Sequence, residues 1–136
     1  MAFRKIAYLI PSCEGCGLAR SFREIPALMV PKMRGVVAKS ALNTKNIMRK
    51  DAQGSAHFKQ LAPTISYDLK VHAFGGDGVI EAEIGPSGGG AASLAGIAYF
   101  GTSRPGGGTV RNPEDAMLEE APNFYEFAFR ATEGLL

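Results

Sequence analysis

The stretch TISYDLKVHAFGGDGVIEAEIG, residues 64–85, decides the fold because it alternates apolar and polar residues on both sides of a glycine-rich turn. Alternation with a period of two is typical of strands that bury one face. The inward positions are Ile65, Tyr67, Leu69, Val71, Ile80, Ala82 and Ile84. The turn FGGDG, residues 74–78, contains glycines that accept positive φ. The stretch therefore predicts an antiparallel β-hairpin.

A helical pattern precedes the hairpin. Apolar or small residues recur at spacings of three and four from Met29 to Met48, which is typical of one buried helical stripe. Pro31 suits the first turn of a helix, and Gly54 suits its end. We therefore expect a helix from about Pro31 to Asp51. Residues 1–30, which contain Pro11 and Pro26, are expected to form an irregular N-terminal segment.

The charges are unevenly distributed along the chain. Residues 1–70 contain 12 Lys/Arg and 4 Asp/Glu (12 − 4 = +8), whereas residues 71–136 contain 3 and 9 (3 − 9 = −6). Six cations lie opposite the apolar stripe of the predicted helix: Lys32, Arg34, Lys39, Lys45, Arg49 and Lys50. This asymmetry indicates a basic surface for nucleic acid, complementary faces that let copies stack, or a face that serves solubility alone.

The secondary structure after the hairpin is predicted from the glycines of this region and from the signal for the start of one helix. Residues 86–93 are expected to form a flexible loop, and residues 94–100 fit either a third strand or a short helix. Asn112 and Pro113 indicate the start of a helix, which Pro122 is expected to kink or restart. Its core-facing side chains are predicted to be Phe124, Phe127, Ala128 and Ala131.

These elements together predict an α+β domain over residues 31–136. Its small antiparallel sheet of three to five strands is flanked by an N-terminal basic helix and a C-terminal acidic helix.

The glycine loop after Phe100 does not predict nucleotide binding. Gly101 and Gly106 have the spacing of a phosphate-binding loop, but Gly107 and Gly108 occupy the positions where Lys and Ser or Thr are required. The predicted element order also contains no βαβ unit.

Metal and catalytic motifs are weak in this sequence. Cys13 and Cys16 form half of a zinc motif, but the spacing to His57 and His72 fits none of the usual patterns. The histidines have no evident carboxylate or nucleophile at a useful spacing. We therefore expect no enzyme activity, no cofactor and no metal.

Five segments in order resemble one known family. They are VVAKSALNTKNIMRKDAQGS (36–55), TISYDLKV (64–71), IEAEIGP (80–86), LAGIAYFGTSRPGGGTVRNPEDAM (94–117) and EEAPNFYEF (119–127). In this order they resemble the tail-completion or neck proteins of long-tailed bacteriophages, which are minor tail components. The resemblance covers about residues 30–134, so the role of Cys13 and Cys16 stays open.

The resemblance implies a virion structural protein with a tail-terminator-like fold. Such proteins form rings, usually six-fold, at the head–tail junction and are assembled from subunits made in the host cytoplasm. The implied partners are further copies of the chain, a head-side connector or stopper protein, and a tail terminator or the major tail tube protein. Genomic DNA would pass through the lumen without its sequence being read, and no membrane is involved. A tail terminator that stops tube growth is the first alternative, and a small basic nucleic-acid-binding regulator is the second.

Two candidate sites follow. Lys39, Lys45, Arg49 and Lys50 are expected to meet channel DNA or an acidic neighbour, since Lys and Arg contact phosphates without reading sequence. The second candidate is an assembly loop that extends from the sheet and becomes ordered when a neighbour docks. Its residues are Tyr99, Phe100, Gly101, Thr102, Ser103, Arg104, Pro105, Gly106, Gly107 and Gly108.

Overall fold

The computed structural model describes residues 13–74, 77–103 and 108–133. The elements are helix α1 (Cys13–Gly54), strands β1 (Ile65–Phe74) and β2 (Asp77–Pro86), helix α2 (Ala95–Phe100) and helix α3 (Pro113–Thr132). Two 3₁₀ helices, Lys59–Thr64 and Gly90–Leu94, precede β1 and α2. The chain is α+β, as the sequence predicts.

Helix α1 is longer than the sequence predicts. It begins at Cys13 rather than near Pro31, so the expectation of an irregular segment is wrong for residues 13–30, and residues 1–12 lie outside the described part. Pro26 and Pro31 each lack the N–H that would continue the helical ladder. The residues around them, such as Leu18, Ala19 and Met29, favour helix, and the element runs through both prolines. No element boundary therefore occurs at residue 30.

The predicted hairpin is confirmed. β1 and β2 pair antiparallel in one register, from Ile65 opposite Pro86 to Phe74 opposite Asp77. The Ser87 amide donates to the Thr64 carbonyl at 2.9 Å, which makes the pair Ile65 and Pro86 a non-hydrogen-bonded one.

Because hydrogen-bonded and non-hydrogen-bonded pairs alternate along the strands, the backbone N–H and C=O groups of the odd-numbered β1 residues point toward the free edge of the sheet. Within the described residues the sheet has two strands, so an extension to three to five strands is not confirmed.

Residues 94–100, for which the sequence left two alternatives, contribute a helix. Ala95–Phe100 forms α2, whose end is marked by Gly101 at φ 79°, a conformation that glycine adopts without steric cost. The Gly101 amide donates to the Ile97 carbonyl at 2.9 Å. The preceding segment, predicted to be a flexible loop, is in part the 3₁₀ helix Gly90–Leu94. The glycine loop therefore leaves a helix and not the sheet.

Helix α3 starts where the sequence predicts. The Asn112 side chain accepts from the Glu114 amide at 3.0 Å, and Pro113 occupies the first turn. Pro122 was expected to kink or restart this helix, but Pro113–Thr132 is one element. Pro122 lies on the exposed side, where the Leu118 carbonyl that loses its helical donor can bond to water.

The core forms where the C-terminal half of α1 meets the two 3₁₀ helices, the start of β1, α2 and the start of α3. Leu61 and Ile65 are its largest fully buried side chains. The cluster consists of Met48, Ala52, Leu61, Ala62, Ile65, Ala98, Tyr99, Val110 and Ala116. No helix in the described residues is both long and apolar enough to cross a membrane.

Candidate assembly surface

Lys39, the first predicted electrostatic residue, contacts the C-terminal helix of its own chain. Its Nζ lies 3.7 Å from the centroid of the Phe127 ring, within the range of a cation–π interaction. Phe127 is half-buried, so the lysine covers one side of the α1–α3 contact. Lys39 therefore contributes to packing as well as to surface charge.

Lys45 and Arg49 face the hairpin. Lys45 Nζ lies 5.2 Å from the Tyr67 ring centroid. The Arg49 Nε and Nη2 both donate to the Ile65 carbonyl, at 3.0 and 2.7 Å. That carbonyl points to the free edge of β1, so Arg49 satisfies a backbone group that has no strand partner.

Lys50 is exposed and, unlike these three, has no partner among the described residues. Lys32 and Arg34 share this property. The predicted basic face is thus divided: Lys39 borders α3, Lys45 and Arg49 border the sheet, and the freely exposed charges are those of Lys32, Arg34 and Lys50.

The predicted assembly loop is fixed at both described ends. Tyr99 is buried and Phe100 is 70% exposed, so one aromatic belongs to the core and the other to the surface. The amides of Thr109 and Val110 both donate to the Ala98 carbonyl at 3.0 Å. Residues 104–107 of the loop lie outside the described residues.

Gly108 makes the closest backbone approach in this region. A Cβ at this position would lie 2.1 Å from the Tyr99 carbonyl oxygen, so any side chain would displace the loop. This glycine serves a tight contact with α2, and the neighbouring amides complete the cap of that helix.

Helix α3 has apolar residues on two opposite sides. The apolar residues Ala116 and Phe127 face α1, and so does the buried Glu120. The opposite side carries a row that we call the outer stripe, spaced by four, three and four residues: Leu118, Pro122, Tyr125 and Phe129.

The outer stripe is exposed to solvent. Leu118, Tyr125 and Phe129 are 65%, 70% and 66% exposed. Sequence reasoning identified the core side of this helix and missed the stripe, although its helical spacing was the available signal. A row of large apolar side chains on one helix face marks an interaction surface more often than a solvated one.

Glu120 is the buried charge between α1 and α3, with 3% of its surface exposed. Its Oε1 accepts from Ser40 Oγ at 3.2 Å and from Asn43 Nδ2 at 2.9 Å, and its Oε2 accepts from Asn123 Nδ2 at 3.0 Å. A buried carboxylate needs such donors to offset its lost hydration. The cluster sets the register of the two helices, which indicates a role in the fold.

Arg111 connects α1 and α3 near the C-terminal end of α1. Its Nη1 lies 2.7 Å from Glu119 Oε2 and 3.8 Å from Asp51 Oδ2, and its Nη2 donates to the Asp115 carbonyl at 3.2 Å. The hydrogen bond to Glu119 is the main cause that raises the pKa of this guanidinium. Arg111 thereby links the end of α1 to the start of α3.

The hairpin's outer face carries a shallow pocket of about 260 Å³ between Ser66, Ser87, Asp68 and Glu83. Glu83 is paired with Lys70 at 2.8 Å, and this hydrogen bond raises the pKa of the lysine. No group of three or more metal-binding side chains occurs in the part of the chain that the structure describes. His57 and His72 are both exposed, and the side chains of Cys13 and Cys16 lie outside the described part.

The described surface thus combines an apolar stripe on α3, an exposed aromatic beside the glycine loop, and cations along α1. This arrangement suits association with other macromolecules. Comparisons of this chain with protein-family models, with curated proteins and with solved structures find no match.

Proposed function

We propose that this chain is a structural subunit of the neck of a bacteriophage virion. It forms a ring, six-fold by the family resemblance, that joins the DNA-filled head to the tail tube around the DNA channel. Its partners are copies of itself, a head-side connector or stopper protein, and the tail terminator or tail tube protein. The ordered motifs of residues 36–127 support this proposal.

The structural observation that carries the proposal is the outer stripe of α3. A subunit in a ring must present apolar area to its neighbours, and Leu118, Tyr125 and Phe129 present such area on the side of α3 that faces away from α1.

A tail-terminator-like fold is also part of the proposal. The two-stranded sheet has a free edge on each strand, and the described residues cover these edges in part. Arg49 binds the Ile65 carbonyl and Asp68 Oδ1 accepts from the Leu69 amide, both on the β1 edge. The β2 edge has no such side-chain cap among the described residues. Further strands, such as one from another copy, would have to pair there.

Contact with channel DNA falls to only one of the four cations that the sequence singled out, together with two other cations of α1. Lys39, Lys45 and Arg49 have intramolecular partners, whereas Lys50 is exposed without one in the described part. We therefore assign the phosphate-facing role to Lys50, with Lys32 and Arg34 beside it. Such contacts are independent of DNA sequence.

Deletion of the gene in the phage that encodes it tests the proposal. Electron microscopy of the lysate should show filled heads and tails of normal length that remain separate, and expression of the chain in trans should restore joined particles. Overlong tails would instead identify a tail terminator, and joined infectious particles would refute a neck role.

The regulator alternative has less support, because three of the six helix cations bind within the fold. Its test is the affinity of the purified monomer for duplex DNA. Binding that falls steeply with salt, in a deletion phage that still joins heads to tails, would favour the regulator.

A further inference from the structure

We propose that the free edge of β2 binds an extended segment of another protein that carries lysine or arginine at every second residue, and that this segment adds a strand to the sheet. The edge suits any partner of that chemistry, so the inference goes beyond the neck role and does not depend on it.

Strand β2 presents a row of backbone groups without partners. The Ser87 amide donates to the Thr64 carbonyl, and this register places the odd-numbered residues of β2 in hydrogen-bonded pairs with β1. The N–H and C=O groups of the even-numbered residues therefore point away from β1. No hydrogen bond from the described residues reaches these groups, which belong to Gly78, Ile80, Ala82 and Ile84.

The β1 edge, in contrast, is covered in part by side chains of the same chain. Arg49 donates twice to the Ile65 carbonyl, and Asp68 Oδ1 accepts from the Leu69 amide at 2.9 Å. Covering an edge is one way in which proteins keep a strand from pairing with another chain. In the part of the chain that the structure describes, this leaves the β2 edge as the place where a strand can be added.

The β2 edge is long enough for a specific contact. From Gly78 to Ile84 it extends about 20 Å at about 3.4 Å per residue, which is the length of an ordinary strand. Pro86 has no N–H to offer, so the pairing would end there.

The charges beside this edge select a cationic occupant. Glu81 and Glu83 are exposed on the outer face of the hairpin. Glu83 pairs with Lys70 at 2.8 Å, whereas Glu81 forms no salt bridge or hydrogen bond among the described residues. Lysine or arginine at alternate positions of an added strand would lie beside both carboxylates, and opposite charges on neighbouring strands stabilise the pairing.

The positions between the cations suit apolar side chains. Ile80, Ala82 and Ile84 are partly buried on the inner face of the hairpin, and Ile84 packs against the core cluster. An added strand that alternates cationic and apolar residues would place its apolar side chains beside these three and remove more of their surface from water.

A second copy of this chain is a less suitable occupant. Two β2 edges paired antiparallel about Ala82 would set Glu81 of each copy opposite Glu83 of the other, and like charges directly opposite destabilise a strand pair. The β1 edge of a second copy would have to displace its own Arg49 and Asp68 contacts first. A cationic segment of another protein meets neither obstacle.

Binding of two synthetic peptides to the purified full-length chain tests the proposal. One peptide has eight residues that alternate lysine and valine, and the other alternates glutamate and valine. Calorimetry should show that the lysine peptide binds at least about 10-fold more tightly than the glutamate peptide, and that its affinity falls as salt is added.

Amide hydrogen exchange measured by NMR is the readout specific to strand addition. In the free protein the odd-numbered amides of β2, which bond to β1, should exchange slowly and the even-numbered ones quickly. Lysine peptide at about ten times its Kd should slow the even-numbered amides about 10-fold and leave the odd-numbered ones unchanged. The even-numbered amides are those of Ile80, Ala82 and Ile84.

Two variants locate the contact. Ala82→Pro removes an N–H that points to the free edge and none that bonds to β1, so the hairpin should persist while affinity for the lysine peptide falls at least about 10-fold. E81Q/E83Q keeps every backbone group and should bind both peptides equally. The control Asp68→Asn removes a charge from the same outer face beside the β1 edge, and it should bind like the wild type.

Three results would overturn the proposal: equal affinity of the wild type for both peptides, binding that leaves the even-numbered amides fast, or E81Q/E83Q that binds like the wild type. Even-numbered amides that are already slow in the free wild type would also overturn it, and a dependence on protein concentration would then identify a second copy as the occupant. If Ala82→Pro does not fold, E81Q/E83Q and the exchange pattern still decide. Failure here leaves the neck role intact, because the gene deletion tests that role separately.

Discussion

Glu120 illustrates how one residue fixes the relation of two helices. It lies on the inner side of α3, almost fully buried, with hydrogen bonds from Ser40 and Asn43 of α1. The sequence EEAP offers two adjacent glutamates, Glu119 and Glu120, and does not show which one is buried. The packing decides it, since residues one apart point in different directions around a helix.

Glu120→Ala should lower the free energy of unfolding by about 2–4 kcal/mol, because the Ser40 and Asn43 donors lose their acceptor in a buried place. Urea denaturation followed by circular dichroism measures the change. The matched control is Glu126→Ala, which removes an exposed carboxylate paired with Arg130 and should cost no more than about 0.5 kcal/mol. Equal costs for the two substitutions would contradict the assigned role of Glu120.

Tyr99 is a buried residue with an unsatisfied polar atom, since its hydroxyl has no hydrogen-bond partner among the described residues. Burial, with a further contribution from the charge of Asp51, raises the pKa of this phenol above its usual value near 10.0. The folded state therefore holds the phenol proton more tightly than the unfolded state. Stability should be full below the unfolded pKa and fall as the pH rises above it.

Tyr99→Phe should remove that alkaline loss and leave stability at pH 7 unchanged or slightly higher, because no hydrogen bond is broken. Thermal melting of both proteins across pH 8–11 measures this, with Tyr125→Phe, 70% exposed in the native fold, as the control. A parallel decline of the wild type and Tyr99→Phe would rule out Tyr99 as the source.

At the scale of elements, α1 shows that cations along one helix have different roles. Lys39 stacks on Phe127, Arg49 binds the Ile65 carbonyl, and Lys50 is exposed. The helical wheel placed all six cations opposite the apolar stripe, and the structure shows that three of them, Lys39, Lys45 and Arg49, lie at its two borders. Long cationic side chains reach across such borders and cover apolar surface with their stems.

Lys39→Gln should lower the free energy of unfolding by about 0.5–1 kcal/mol through loss of the cation–π contact. Lys50→Gln, which removes the same charge from the same helix, should leave it unchanged within error. Chemical denaturation of both variants in parallel gives the comparison. A Lys50 effect as large as that of Lys39 would show that net charge, and not the contact with Phe127, is responsible.

The segment between α2 and α3 consists of the glycine loop and of residues after it that are hydrogen-bonded to α2. Because Thr109 and Val110 donate to the Ala98 carbonyl, their amides should exchange slowly in the free protein. The sequence predicts that residues 102–108 become protected on assembly. Hydrogen exchange of free protein and of assembled particles, followed by mass spectrometry, tests both expectations. Equal exchange of 102–108 in the two states would argue against an assembly loop.

At the scale of the whole molecule, the basic and acidic halves of the chain fold against each other and also leave separate surfaces. Arg111 with Glu119 and Asp51, and Lys39 with Phe127, tie α3 to α1. Lys32, Lys50, Glu114 and Glu133 remain at the surface, where they are open to partners. Charge asymmetry along this sequence thus contributes to packing and leaves separate exposed charges of both signs.

Under the proposed neck role, reversal of Lys32 and Lys50 in the phage genome should reduce infectious yield strongly while the melting temperature of the purified chain stays within about 2 °C of the wild type. Reversal of Lys39 and Lys45 should lower the melting temperature as well, because both contact aromatic rings of the fold. Normal yield from the Lys32 and Lys50 variant would contradict a role for these surface charges in the virion.

The sequence by itself determined the local structure of this protein wherever one segment carries its own signal. Alternation in residues 64–85 specified the hairpin and its inward face except at Val71, which was predicted to face inward and is 37% exposed; Asn112 with Pro113 specified the start of α3. These signals depend on neighbours along the chain, which a sequence contains in full. The tertiary structure alone decided the helical state of residues 95–100, the continuation of α1 to Cys13, and the burial of Glu120.

The tertiary structure also decided which side of α3 is left exposed to solvent. Leu118 and Phe127 are both large apolar residues, and only the position of α1 makes one an exposed surface and the other half-buried. Burial is a property of what packs against a residue, and that contact comes from a segment about 80 residues away in the chain.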